Sequence, residues 1–326
     1  MKVLVTGANG FVARHLAKKL MELKRYQISL TTYHAICESA LGKMIKMDVT
    51  DLPETIKVIR TIKPDVIIHL AAQSNIPSSW KDPVATMSIN TIGTTNIILA
   101  IVKLHLAPKL IFVGSGEEYG LTAKSRPLLT ETDPCQPQNP YAISKLAAEQ
   151  LSVQLARKNH LNLIFLRPFN HFGPGQKTGF VVSDFCSQIA KIEDRQMPPT
   201  MKVGNIRTAR DFLAVSDVVH AYELAIEKDL PTGIYNISSG KAVLIESILH
   251  YLLKLTETTV RLQMDEIRFR TEEIKSFAGD SSKFRQSAGW KPVCDLSDCL
   301  KATLNWWRAE IKHTLRDNSP YRQTIH

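Results

Sequence analysis

One segment near the start, Val3-Leu4-Val5-Thr6-Gly7-Ala8-Asn9-Gly10-Phe11-Val12-Ala13-Arg14, constrains the fold more than any other. A short apolar run rich in valine leads into a glycine-rich turn, and the turn leads into an amphipathic stretch. That order is strand, tight turn, helix, with backbone N–H groups and the positive end of a helix dipole gathered where a pyrophosphate can sit. Glycine spacing alone is common by chance; its position between a strand and a helix is what points to a dinucleotide. Gly7, Asn9, Gly10, Phe11 and Val12 are therefore the first candidate cofactor residues. Ala13 occupies the third glycine position, and its methyl still permits close packing of helix on strand.

The same alternation continues. Strands are expected over residues 2–5, 28–32, 66–70 and 110–113, with helices over 11–23, 53–62 and 85–104, which is the pattern of βαβ units and a parallel sheet. A long polar loop over 114–140 precedes a helix at 142–157 and a strand at 163–166, and loops of that length usually border a site. The expected architecture is α/β: a doubly wound parallel sheet over 1–170, with returns near 213–240 at 217–227 and 233–237. A smaller C-terminal α/β domain over 171–312, with helices at 244–255 and 296–311, closes over the crevice, and 313–326 is a polar tail.

Lys and Arg number 41 against 31 Asp and Glu, a net +10, yet the cations are dispersed, so small polyanionic ligands explain them better than nucleic acid does. Five scattered cysteines with no C-x-x-C pair and no histidine at ligand spacing indicate neither a disulfide framework nor a metal site, and fit a reducing cytoplasm. No run approaches eighteen apolar residues and the chain opens on a strand, so neither a membrane span nor an export signal is expected.

Cofactor choice is read after the second strand. The stretch Leu30-Thr31-Thr32-Tyr33-His34 carries no carboxylate to repel a 2′-phosphate, and Arg14, His34 and Lys43 can neutralise one, so NADP(H) is favoured with NAD(H) the alternative. Asp48-Val49 can meet the adenine, although an Asp after a strand also serves as a helix N-cap.

The chemistry rests on Tyr141-Ala142-Ile143-Ser144-Lys145, because residues four apart share a helix face. An ammonium beside a phenol favours the phenolate and makes it a usable proton donor or acceptor. Ser115, directly after a strand in Gly114-Ser115-Gly116-Glu117-Glu118-Tyr119-Gly120, can hydrogen-bond the same substrate oxygen.

With Thr6–Val12, His69-Leu70-Ala71-Ala72, Asn90-Thr91-Ile92-Gly93-Thr94, the Ser115 loop, Tyr141–Lys145, Arg167-Pro168-Phe169-Asn170 and Arg210-Asp211-Phe212 in this order, the chain resembles the extended short-chain dehydrogenase/reductase family over nearly its whole length. Residues 167–176 with Gly179-Phe180-Val181, and later 268–273, 279–284 and Gly289-Trp290-Lys291-Pro292, are most similar to the reductases of GDP-4-keto-6-deoxy-D-mannose. The resemblance implies a Rossmann-type domain that holds the hydride donor, a GDP-sugar held by the later segments, and a homodimer. It implies that Leu70, Ala71, Ala72 and Asn90 line the cofactor and that Asn170, Phe180 and Val181 border the substrate. Arg210 and Arg270 would meet the diphosphate or nucleoside, with Glu273 near ribose or base.

The implied reaction is NADPH-dependent reduction of the C4 ketone of a GDP-4-keto-6-deoxyhexose. Two departures bear on the sugar: Leu213-Ala214-Val215-Ser216-Asp217 stands where the reductases carry a more polar run, and Thr271 stands where proline is usual. The alternative is a 4,6-dehydratase or related epimerase, for which Glu117 occupies the position of the C5 base, although the dehydratases carry Thr at Ser115. A silent nucleotide-binding scaffold on this fold is a more distant alternative.

Overall fold

The computed structural model describes residues 1–34, 38–39, 41–265 and 274–317. Seven strands form an all-parallel sheet in the order β10-β6-β5-β4-β1-β2-β3. They are β1 (Lys2–Thr6), β2 (Gln27–Thr32), β3 (Ile45–Lys46), β4 (Val66–His69), β5 (Lys109–Val113), β6 (Leu163–Pro168) and β10 (Gly233–Ile237). Val3 pairs with Ile28 on one side and Val66 on the other. The order therefore reverses between β1 and β4, and a crevice opens at their carboxyl ends.

Side chains alternate across the sheet, so each strand feeds two cores. Val3 and Val5 pack with Leu16, Ala17 and Leu20 of α1 (Phe11–Glu22), and with Val218 and Tyr222 of α6 (Val215–Glu227). Leu4, Ile67 and Phe112 face the other way, onto Ile59 of α2 (Leu52–Ile62), Ile97 and Ile101 of α3 (Pro83–Lys103), and Ala156 of α4 (Pro140–Lys158). Most of these side chains are fully buried, each contributing roughly 1.5–3 kcal/mol relative to exposure.

The smaller region is built on β9 (Ala209–Ala214), which pairs with β7 (Asn170–Phe172), β11 (Ala242–Leu244) and β13 (Ser276–Phe277). Beside it β8 (Thr200–Val203) pairs with β12 (Arg261–Met264). Helices α5 (Val181–Glu193), α7 (Ile245–Leu253) and α9 (Leu296–Asp317) enclose a second core around Phe185, Ile189, Ile248, Leu252, Leu304 and Trp307, while α8 (Ser282–Ala288) packs on β10. The Trp307 indole N–H donates to Ser183 Oγ at 3.1 Å.

Several expectations need correction. Of the returning segments, 217–227 is helix α6 lying on α1, and Gly233–Ile237 alone joins the sheet, beside β6. Helix α3 is long and apolar enough to cross a membrane by length and composition, contrary to the sequence reading. It packs between α2 and α4 with Ile97, Ile98, Ala100 and Ile101 in the core, which accounts for much of its apolar composition. The 114–140 loop is ordered by 3₁₀ turns at Gly116–Tyr119 and Leu121–Lys124, and by Leu129, which exchanges backbone hydrogen bonds with Ala278 and Asp280. Helix α9 runs on through Asp317, so the polar tail begins inside a helix; residues 318–326 lie outside the described residues.

Candidate active site

The glycine turn is shaped as much by its neighbours as by a ligand. Gly7 has φ +67°, and a Cβ there would lie 2.6 Å from the Ala71 Cα, so the left-handed backbone and the close approach of β4 both demand glycine. Thr6 locks the same junction: its hydroxyl accepts from the Leu70 and Ala71 N–H groups at 3.1 and 3.2 Å and lies 2.8 Å from His69 Nδ1. Burial holds the His69 pKa down at about 3, so the ring is neutral. Asn9 is spent on Thr32 Oγ1, tying the turn to the end of β2. Helix α1 starts at Gly10 with no side-chain cap and no acid in its first turn. Its first N–H groups and dipole are thus left for an external anion, which is what a dinucleotide pyrophosphate requires.

Beyond β2, Tyr33 and His34 border a hollow of about 450 Å³ with Lys46, Asp48, Asp51 and Glu54. Its carboxylates serve the backbone: Asp48 accepts from the Thr50 N–H and hydroxyl, Asp51 caps α2, and Glu54 accepts from the Asp48 N–H. Val49 packs against Gly93, where a Cβ would meet it at 2.6 Å, and its carbonyl accepts from Asn96. Arg14 and Lys43 are exposed.

Leu70 to Ala72 follow β4 at the crevice, and Asn90 stands behind them. Its buried amide accepts from the Gln73 N–H at 2.8 Å and donates to the Gln73 carbonyl and to Ser144 Oγ, both at 2.9 Å. Both amide protons are engaged, so Asn90 positions the 71–73 loop against α4. It lies in a π-helical turn, Ser88–Ile92, the kind of local widening often found at functional sites.

Ser115, Tyr141 and Lys145, the candidate catalytic trio, are brought together by β5 and α4. Asn139 caps α4 by accepting from the Ala142 N–H, and Pro140 occupies the first helical turn. Tyr141 and Lys145 are buried one turn apart on that helix, and the Ser115 hydroxyl, just past the end of β5, lies near enough to the Tyr141 phenol to influence its ionisation. Burial pushes the Tyr141 phenol well above its usual value, Ser115 opposes this, and Glu118 and Glu117 add to the rise. Lys145 is drawn down to about 8, chiefly by burial, with Glu118 opposing. Its ammonium donates to the Val113 carbonyl at 2.7 Å. The influence that opposes the rise at Tyr141 is the Ser115 hydroxyl.

The substrate-side residues are placed unevenly. Asn170 is half-buried on β7 opposite Phe212, and the neighbouring His171 stacks on Phe11 at 6.3 Å, so cofactor turn and substrate strand meet directly. Phe180 is the partly exposed cap residue of α5, and Val181 packs on the second core. Glu117 is half-buried, and Asn139 Nδ2 donates to it at a long 3.4 Å. Arg210 is buried, with one guanidinium nitrogen donating to the Ala209 and Ile274 carbonyls. Arg270 and Glu273 lie outside the described residues. Sequence reasoning missed Thr6, Gln73 and the buried group Glu118, Glu149 and Arg167; the Thr beside the first glycine was the available signal for one of them.

Comparison with known proteins places the chain and its fold among relatives. A family model described as GDP-mannose 4,6 dehydratase matches residues 4–303. The chain is 31% identical to the GDP-6-deoxy-D-mannose reductase of Pseudomonas aeruginosa over 95% of its own length and 98% of that protein's. It is 30% identical to the GDP-6-deoxy-D-talose 4-dehydrogenase of Aggregatibacter actinomycetemcomitans, over 89% and 92%. Its fold superposes on the structure of RMD from Pseudomonas aeruginosa complexed with NADPH with a TM-score of 0.83, at 30% identity, covering 95% of this chain and 99% of that one.

Proposed function

Because the chain belongs to the GDP-mannose 4,6-dehydratase family of extended short-chain dehydrogenases/reductases, its site is read among nucleotide-sugar redox chemistries, and we propose that it reduces the C4 ketone of a GDP-4-keto-6-deoxyhexose. The observation that carries this reading is the burial of Ser115, Tyr141 and Lys145 together at the carboxyl end of β5 beside the crevice, with the Ser115 hydroxyl near the Tyr141 phenol. A ketone oxygen set between them meets two donors already aimed at the charge it develops. NADPH, when bound, supplies the hydride that adds to C4. Tyr141, held protonated by burial, gives its proton to the oxygen, and Ser115 supports the oxygen as charge builds. Lys145 keeps a cation beneath them.

The uncapped start of α1 and the Gly7–Ala71 junction fit a dinucleotide. The absence of an acid in Leu30–His34 supports NADP(H) over NAD(H). A GDP-sugar is the proposed substrate, supported by the two GDP-sugar enzymes at 30–31% identity.

Dehydration of GDP-mannose is a second reading, favoured by Glu117, which is close enough to Tyr141 to raise its pKa. The test is incubation with GDP-4-keto-6-deoxymannose and NADPH. Loss of NADPH with one equivalent of 6-deoxyhexose formed supports reduction; conversion of GDP-mannose without net NADPH loss sinks it.

We also infer a homodimer joined through α3 and α4, which pack side by side and expose Ile92, Leu99, Ile143 and Leu151. Sedimentation at a monomer's mass would overturn that. A reducing cytoplasm is the proposed compartment, supported by the free thiols Cys135, Cys186 and Cys299.

A further inference from the structure

Directly beneath the trio lies a buried group the proposed chemistry does not use. Glu118, in the 3₁₀ turn that follows Ser115, is fully buried, an unusual state for a carboxylate. One oxygen, Oε1, accepts from the Ser115 N–H at 2.7 Å, while Ser115 Oγ accepts from the Glu117 N–H at 3.1 Å. The other oxygen sits 3.2 Å from Arg167 Nε. Arg167, on β6, turns its own N–H groups on Glu149: Nε donates at 2.7 Å and a terminal nitrogen at 2.5 Å, a two-pronged pairing in a buried setting. Glu149 belongs to α4, four residues beyond Lys145 and eight beyond Tyr141.

Glu118 therefore closes a chain of contacts from the Ser115 backbone through Arg167 to the helix that carries Tyr141 and Lys145. The packing is specific to it. At Gly114 a Cβ would lie 2.4 Å from Glu118 Oε1, so glycine there makes the room that Glu118 fills. The Arg167 guanidinium also lies 4.9 Å over the Tyr119 ring, whose hydroxyl donates to Asn236 Oδ1 at 2.7 Å, so the arginine cannot swing away.

We propose that Glu118 is a positioning residue for the reaction: held by Arg167 against Glu149, it fixes the Ser115 turn in register with α4, so that the Ser115 hydroxyl stays beside the Tyr141 phenol. It touches neither substrate nor cofactor and acts through Ser115. Burial, with Glu149 close by, holds the Glu118 carboxyl well above the usual carboxylate range, towards the protonated acid. A glutamine, isosteric with that protonated acid, can make the same contacts, whereas leucine cannot.

This inference rests on the proposed Ser115 and Tyr141 chemistry, and its test separates the two. Glu118→Gln and Glu118→Leu are each made alone and with Ser115→Ala, and ketone reduction is followed with thermal unfolding. Glu118→Gln is expected within about threefold of the parent kcat, and Glu118→Leu to lose tenfold or more in kcat with KM for sugar and NADPH unchanged. In the Ser115→Ala background, Glu118→Leu should cost no more than about twofold further, because its route to the reaction is gone. Equal losses in both backgrounds, or a Glu118→Leu protein within threefold of the parent, overturn the proposal. Crystal structures of the parent and both variants read it without turnover. The Ser115 hydroxyl should keep its parent position relative to the Tyr141 phenol with Gln and shift away from it with Leu, and an unshifted hydroxyl in Glu118→Leu would overturn the proposal even if the sugar chemistry were misassigned. Should Glu118→Leu not fold, Glu118→Gln decides: a tenfold loss in kcat, or a Ser115 hydroxyl shifted away from the Tyr141 phenol in that variant, overturns it.

Discussion

Replacing Tyr141 with Phe removes one atom from the centre of the site, and its cost can be apportioned. The ring is buried on α4 with its hydroxyl near Ser115, so Phe keeps the packing and gives up at most a single hydrogen bond. Such a bond is worth about 0.5–1.5 kcal/mol of stability, too little to unfold a protein with cores of this size. Ground-state binding of the ketone loses one donor, about 1 kcal/mol, so KM should rise no more than about fivefold. The transition state loses its acid. A positioned proton is typically worth about 10²–10⁴ in rate, or roughly 3–5 kcal/mol of barrier. The loss should therefore fall in kcat, measured as NADPH consumption at saturating sugar, with the melting temperature nearly unchanged. A variant within tenfold of the parent kcat would refute the assignment of Tyr141 as acid. So would a loss expressed wholly in KM.

Three further outcomes follow from the same geometry. Glu117→Gln should leave ketone reduction within roughly tenfold, because a reductase abstracts no C5 proton; loss of most turnover would instead favour the dehydratase reading. Gly7→Ala should destabilise by at least about 2 kcal/mol in denaturant unfolding, since φ +67° alone costs an L-residue roughly 1–2 kcal/mol and the Ala71 backbone must also move. It should weaken NADPH binding in the same preparation, and unchanged stability and affinity would count against the junction. For Lys145, held down to about 8, kcat/KM of the free enzyme should fall as pH rises through that value and the ammonium is lost. Because its pKa is lowered on folding, the unfolded chain binds more protons between about 8 and the ordinary lysine value near 10.4, so this group's contribution to stability rises across that window. A flat alkaline limb would remove Lys145 from the reaction.

Much of this was legible because local signals and tertiary needs coincide. Val3–Val5, Val66–His69 and Leu110–Val113 are apolar runs rich in β-branched residues because parallel strands are covered on both faces. Tyr141 and Lys145 were readable because helical spacing brings them together without outside help. What failed to show depends on contacts between distant segments. Gly7 reads as a ligand glycine, but its positive φ and approach to Ala71 are set by β4, about sixty residues on. The bonds of Asn90 to Gln73 and Ser144 join segments distant in sequence. The burial of Glu118 depends on Arg167 and Glu149, which arrive from two other elements. The apolar character of α3 was missed because its polar residues, Asn90 and Asn96 among them, break the run in sequence while serving neighbouring backbone in the fold.

The central claim is that hydride reaches C4 of a 4-keto sugar from the nicotinamide and stays there. The most direct measurement uses GDP-4-keto-6-deoxymannose with NADPH deuterated at the transferable position of the nicotinamide, and reads the sugar product by mass spectrometry and proton NMR. The account predicts one deuteron per sugar, located at C4, with one NADPH consumed. A product without deuterium at C4, or turnover of GDP-mannose to its 4-keto-6-deoxy form with the coenzyme unchanged, would contradict it.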